Sequence, residues 1–217
     1  MIRAILFDFD GVIVQTEPLH KRTFIELLEP FGVEISDERW YQEFAGTGSR
    51  KIFRALLDEH GANTDITELV NKRRDMFIDY VKQGKTEPTE GLLSFLEHIR
   101  AKNLRSAIVS GGHRSYIELL IKMLKIEKFF EYIVAAEDIP ERKPDPTPFL
   151  LAAKEVGIKP KECLVIEDSY SGCKAGKAAG MKVAWMRPHK SMAPPECDLI
   201  IENFRSSELL TFLDSSP

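Results

Sequence analysis

The chain is poor in cysteine: Cys163, Cys173 and Cys197 are an odd number with no C-x-x-C spacing, which argues against a disulfide framework or a zinc ribbon. Positive charge is not in excess either. Thirty Lys and Arg stand against 34 Asp and Glu, a net charge of −4, so a nucleic acid or an anionic membrane surface would find no basic face. A small phosphate-bearing ligand needs only one local positive pocket and stays open. No apolar run approaches the roughly 20 residues of a membrane span. Asp8 and Asp10 interrupt the opening apolar run too early for a secretory signal. Internal repeats and low-complexity tracts are lacking. These absences predict a soluble, cytoplasmic protein with neither nucleic acid nor membrane as partner.

What remains is ordinary globular composition: 217 residues, 43% hydrophobic and 29% charged, enough to bury a core without staples. Arg3–Phe9 is a short apolar run that ends in acid, as a strand buried on both faces would. Similar runs follow at Arg105–Ser110, Tyr132–Ala136, Glu162–Glu167 and Lys182–Met186, with Asp198–Ile201 a possible sixth. Helical patterns lie between them at about 90–102, 113–124, 146–156 and 170–179. Strands alternating with helices imply βαβ units and a parallel sheet. Asp145 and Pro146 suit a helix start and Gly157 a helix end. Gly172, Ala175, Gly176 and Ala179 place small residues on one helix face, allowing close approach to a sheet.

The alternation stops between Thr16 and Lys85. That stretch reads as helices at about 17–29, 36–44, 49–60 and 65–83, without a strand. The expected fold class is therefore α/β: a three-layer, Rossmann-like core of residues 1–14 and 86–217, with an inserted all-helical cap domain at 15–85. Ligands of open α/β sheets bind at the carboxyl ends of the strands. A module that leaves just after the first strand is placed as a lid would be.

Four short motifs sit at such strand ends. Phe7-Asp8-Phe9-Asp10-Gly11 sets two carboxylates on one side of an extended chain, where their repulsion invites a hard divalent cation. Ser110-Gly111-Gly112 offers a hydroxyl and backbone N–H groups before a helix, an anion site or an ordinary loop. Lys143, ahead of Pro144, projects a cation from the third loop or is simply solvated. Glu167-Asp168 closes an apolar strand, with Asp168 either a helix cap or a further metal ligand. Jointly these are the parts for phosphoryl transfer through an aspartyl-phosphate.

In this order they resemble the haloacid-dehalogenase-like hydrolase superfamily, in its branch with a helical cap near the β-phosphoglucomutases and phosphoglycolate phosphatases. The resemblance covers about residues 3–201. It implies Asp8 as nucleophile and Asp10 as general acid, then base, its backbone carbonyl also reaching the metal. It implies Ser110, helped by the Gly111 N–H, as the grip on the phosphoryl group, and Lys143 as the offsetting cation. Asp168, supported by Glu167, is implied as a carboxylate of a Mg²⁺ site shared with Asp8. Asp10 favours phosphate esters over haloacids and phosphonates, since those relatives replace the second carboxylate.

The cap bears on substrate. His20, Phe24, Leu27, Leu28 and Phe31 share a helical face, and Thr16 with His20 resembles the hinge of β-phosphoglucomutase-like enzymes. The loop Ala45-Gly46-Thr47-Gly48-Ser49-Arg50 would hold Thr47 and Arg50 over the leaving group, or is a plain interhelical turn. Ala45 stands where those mutases have a basic residue, which favours hydrolysis over mutase activity. Trp40, Tyr41 and Phe44 read as cap core rather than a ligand cleft, and Lys72-Arg73-Arg74 as a solvated helix face. The expected function is a Mg²⁺-dependent phosphatase of a small phosphate monoester, a sugar phosphate or short organic phosphate, working as a monomer. A sugar phosphomutase of the β-phosphoglucomutase type is the alternative.

Overall fold

The computed structural model describes residues 1–44, 47–186 and 197–215; of Tyr41 and Ser215 it describes the backbone alone. In chain order the elements are β1 (Ala4–Phe7), β2 (Val14–Gln15), α1 (Glu17–Leu28), α2 (Asp37–Arg39), α3 (Ser49–Glu59), α4 (Ile66–Lys82) and β3 (Glu87–Pro88). There follow α5 (Leu92–Ala101), β4 (Arg105–Val109), α6 (Arg114–Met123), β5 (Tyr132–Val134), α7 (Thr147–Glu155) and β6 (Cys163–Glu167). The chain closes with α8 (Tyr170–Ala178), β7 (Lys182–Met186), β8 (Leu199–Ile201) and α9 (Ser207–Ser215). Contacts divide it into two compact units, Met1–Gln15 with Pro88–Pro217, and Thr16–Glu87.

The first unit is a Rossmann-like α/β fold around a six-stranded sheet, ordered β5-β4-β1-β6-β7-β8. Every pairing is parallel, with Phe7 level with Ile108 on one side and Ile166 on the other. Side chains of β1 alternate between faces, and both faces are covered. Ala4 and Leu6 join a buried cluster with Phe149 and Ala152 of α7 and with Cys173 and Ala175 of α8. Phe7 lies on the opposite face, its ring 6.2 Å from Phe95 of α5 and 6.0 Å from Phe204. Cys163 and Cys173 are buried, as strand and small-residue helix positions imply. Gly176 makes the close helix–sheet approach, since a Cβ there would come 2.9 Å from Val183. The chain leaves and rejoins this unit at one place: Thr89 donates its N–H to the Ile13 carbonyl (3.0 Å) and accepts from the Gln15 amide (2.8 Å). Helix α7 starts one residue later than predicted, with Pro146 at the cap position; Asp145, expected there, precedes it and accepts from the Thr147 N–H at 2.8 Å.

The second unit is helical. Phe24 and Leu28 of α1, Trp40, Phe44 and the apolar face of α3 (Ile52, Phe53, Leu56, Leu57) form its core with Leu69 of α4. Asp65 caps α4 by accepting from the Thr67 and Glu68 N–H groups. The single helix predicted over 36–44 is instead the short α2, capped by Ser36, followed by a wide π-helical turn at Trp40–Phe44. Trp40 and Phe44 are buried, and Trp40 Nε1 donates to Glu17 at 2.9 Å. Arg73 departs from the solvated face expected of its neighbours. Its guanidinium stacks over Phe24 and Phe77 and donates to His20 Nδ1 (3.1 Å) and Thr23 Oγ1 (3.4 Å). The run of three cations hid a side chain that packs its planar head on aromatic rings. Among the described residues no helix is long and apolar enough to cross a membrane.

Candidate active site

β1 is the central strand, flanked by β4 and β6, so the residues that follow these three strands necessarily meet. Asp8 continues β1 for one residue, its N–H bonded to the Ile166 carbonyl at 2.9 Å. The chain then folds back sharply: Gly11 has φ +79° and donates to the Val14 carbonyl at 2.8 Å, and Ile13 donates to Phe9. A side chain at Gly11 would be doubly excluded. The conformation is left-handed, and a Cβ would lie 2.0 Å from Oδ2 of Asp168. The turn is thus shaped to let Asp168 approach the first aspartate motif.

Lys143, from the loop after β5, ties the strand ends together. Its ammonium donates to Asp8 Oδ1, to the Val109 carbonyl (2.9 Å) and to Glu167 Oε1 (2.5 Å). The aliphatic stem carries the charge over the Phe149 ring, 5.0 Å away. Glu167 is wholly buried, and its other oxygen accepts from the Ser169 N–H (2.9 Å) and hydroxyl (2.8 Å). Ser169 in turn caps α8 by accepting from the Gly172 N–H at 3.0 Å. Burial alone would pull the Lys143 ammonium down, yet the Asp8 and Glu167 carboxylates outweigh it and hold it above the usual lysine value.

Asp8 shows the reverse balance. Burial pushes its pKa up to about 8, opposed by Lys143 and reinforced by the charges of Glu167 and Asp10. A single ammonium does not neutralise this group. Asp8, Glu167 and Asp168 each offer an oxygen, all within 4.8 Å of one another. An all-oxygen, net-negative donor set is what a hard divalent cation prefers. The residues present therefore fit a metal such as Mg²⁺.

Ser110 is buried at the end of β4, its Oγ accepting from the Gly112 N–H at 2.9 Å. Gly111 is exposed, and its carbonyl accepts from Arg142 at 3.4 Å. A residue with no signal in the sequence completes this side. Tyr116, in the first turn of α6, donates its hydroxyl to Asp10 Oδ1 at 2.7 Å across 106 positions of chain. A helix directly after the Ser110 loop was expected from the sequence, but not which of its residues meets Asp10.

Three further candidates belong to the helical unit. His20 is stacked on Phe77 (4.2 Å between rings, 9° apart) and bonded to Arg73. Thr47 closes its turn by donating to the Phe44 carbonyl at 2.8 Å, and Arg50 donates to Thr67 at 3.3 Å. Thr47, Arg50, Lys51 and Arg54 line an open hollow on that unit's surface. Ala45 and Gly46 of the same loop lie outside the described residues.

Residues 5–186 match the model of the haloacid dehalogenase-like hydrolases. Among similar curated proteins, YhcW of Bacillus subtilis (strain 168) is 31% identical, over 99% of this chain and 97% of its own. The fructose-1-phosphate phosphatase YqaB of Escherichia coli (strain K12) is 30% identical, over 85% and 96%. Among solved structures, a haloacid dehalogenase-family hydrolase (family IA, variant 3) of Entamoeba histolytica superposes with a TM-score of 0.84, at 20% identity over 99% of this chain and 100% of that one.

Proposed function

Since the chain belongs to the haloacid dehalogenase-like hydrolases, we propose that it is a Mg²⁺-dependent phosphatase of a small phosphate monoester, working through a phosphorylated Asp8. The observation that carries this reading is the clamp of Lys143 on Asp8, Val109 and Glu167 at the end of the central strand. It aims Asp8 from the strand end and supplies a fixed cation to offset the charge that arrives with phosphorus, and a divalent cation bound beside it would hold Asp8 as the carboxylate. The helical unit Thr16–Glu87 is taken as the cap domain, with His20, Thr47 and Arg50 as its substrate-facing residues.

In the first step an Asp8 oxygen attacks phosphorus while the bond to the alcohol oxygen breaks. Asp10 gives that oxygen its proton. In the second step Asp10 takes a proton from the water that attacks the aspartyl-phosphate, and phosphate leaves. Ser110 and the N–H groups of its loop hold the phosphoryl oxygens, and Lys143 balances charge on nucleophile and phosphoryl group throughout. Bound by Asp8, Asp168 and the Asp10 backbone carbonyl, with Glu167 beside them, Mg²⁺ would add positive charge against the phosphoryl oxygens. The fructose-1-phosphate phosphatase relative supports a sugar phosphate or similarly small ester as substrate.

The test is phosphate release from a panel of phosphorylated metabolites with Mg²⁺ and with a chelator. Release from one compound group that stops on chelation supports the reading. Isomer conversion of a phosphosugar without net phosphate release would replace it with a mutase.

A further inference from the structure

Tyr116 enters the site from the same helix whose preceding loop carries Ser110. Its ring stands edge-on to Phe9, centroids 5.7 Å apart at 88°, and Phe9 is fully buried between the two aspartates. Its other flank is close to Gly112, where a Cβ would come within 3.2 Å of both the Tyr116 ring and the Ser110 hydroxyl. A side chain with two torsions, held on two sides, keeps its hydroxyl in one place. That hydroxyl is directed at Oδ1 of Asp10, 2.7 Å away.

A carboxylic acid has two oxygens and one transferable proton. While Tyr116 donates to Oδ1, the proton resides on Oδ2. From this arrangement we infer that Tyr116 is a positioning residue for Asp10, confining the transferable proton to Oδ2 and fixing the carboxyl plane. The inference rests on Asp10 being the general acid. As the Asp8 oxygen–phosphorus bond forms and the phosphorus–alcohol bond breaks, the Oδ2 proton passes to the departing oxygen and Asp10 becomes a carboxylate. A hydrogen bond to a carboxylate is stronger than one to the neutral acid. The Tyr116 bond therefore tightens as the reaction proceeds, which accelerates this step rather than only binding substrate.

The experiment compares kcat/KM for the best alkyl ester of the panel with kcat/KM for acetyl phosphate, whose leaving acetate needs no proton. Wild type, Tyr116→Phe and Asp10→Asn are measured. The ratio within one preparation is independent of the fraction that is folded, and Phe preserves the ring against Phe9. Since kcat/KM covers the steps through departure of the leaving group, it isolates the acid. The ester-to-acyl ratio is expected to fall on the order of tenfold in Tyr116→Phe, the scale of one hydrogen bond to a charged group. In Asp10→Asn it should fall further. An unchanged ratio in Tyr116→Phe beside a collapsed ratio in Asp10→Asn overturns the role of Tyr116 and leaves Asp10 as the acid. Unchanged ratios in both variants overturn the acid assignment and the inference with it.

Discussion

A methyl group on Gly172 would lie 1.8 Å from Oε1 of Glu167, and 2.3 Å from Oε2. Helix α8 therefore has no side chain where the buried carboxylate needs space. That carboxylate is not free to give way, because one oxygen holds Lys143 and the other holds Ser169. Gly172→Ala should cost about 1–3 kcal/mol of stability, as overpacking does. It should also lower turnover roughly tenfold or more by unseating Lys143. Gly176→Ala, whose methyl would press first on Val183 and Val165, should lose comparable stability with far less effect on turnover. Urea unfolding and phosphate release on the two variants check the contrast.

Lys143→Met removes the ammonium and leaves Glu167, wholly buried, beside Asp8. Breaking a buried ion pair from one side typically costs about 3–5 kcal/mol. The same change should lower kcat by roughly 10²–10³-fold, through lost charge balance at phosphorus. Denaturant midpoints with and without Mg²⁺, together with kcat, measure both effects; near-normal kcat would contradict the role given to Lys143.

Asp8 makes the metal-free protein pH-sensitive in a defined direction. Its folded pKa, raised to about 8, lies above an unfolded value of about 4. Between those values the folded chain holds a proton that the unfolded chain has released. The stability contributed is therefore complete below about pH 4 and is lost as pH rises through about 8. Metal-free wild type should lose ground to Asp8→Asn over that window in thermal unfolding. With Mg²⁺ the trend should reverse, because the ion binds the deprotonated form.

Much of this site was legible because strand-end positions follow from the fold. Asp8, Ser110, Lys143 and Glu167-Asp168 each follow an apolar run, and a parallel sheet sends such positions to one edge. Relations between elements were not legible. Tyr116 looks like any helix residue until α6 is docked beside Phe9. Gly172 and Gly176 both read as close helix–sheet approaches and both are, but only the structure shows that at Gly172 the strand side chain is the carboxylate of Glu167. Arg73 read as solvated because its sequence neighbours are charged, whereas its spatial neighbours are Phe24 and Phe77.

That last difference is testable within the helical unit. Arg73→Ala gives up aromatic stacking and two hydrogen bonds and should cost about 1–3 kcal/mol. Lys72→Ala, at an exposed position paired with Glu68, should stay within about 0.5 kcal/mol of wild type. Urea denaturation of the two variants distinguishes a packed guanidinium from a solvated one.

The most direct measurement is to trap the enzyme during turnover of its best substrate with borohydride and map the modified peptide by mass spectrometry. Reduction of an acyl phosphate on Asp8 to the alcohol, dependent on substrate and Mg²⁺ and missing in Asp8→Asn, is the predicted result. Continued turnover by Asp8→Asn, or a label on a different residue, would contradict the account.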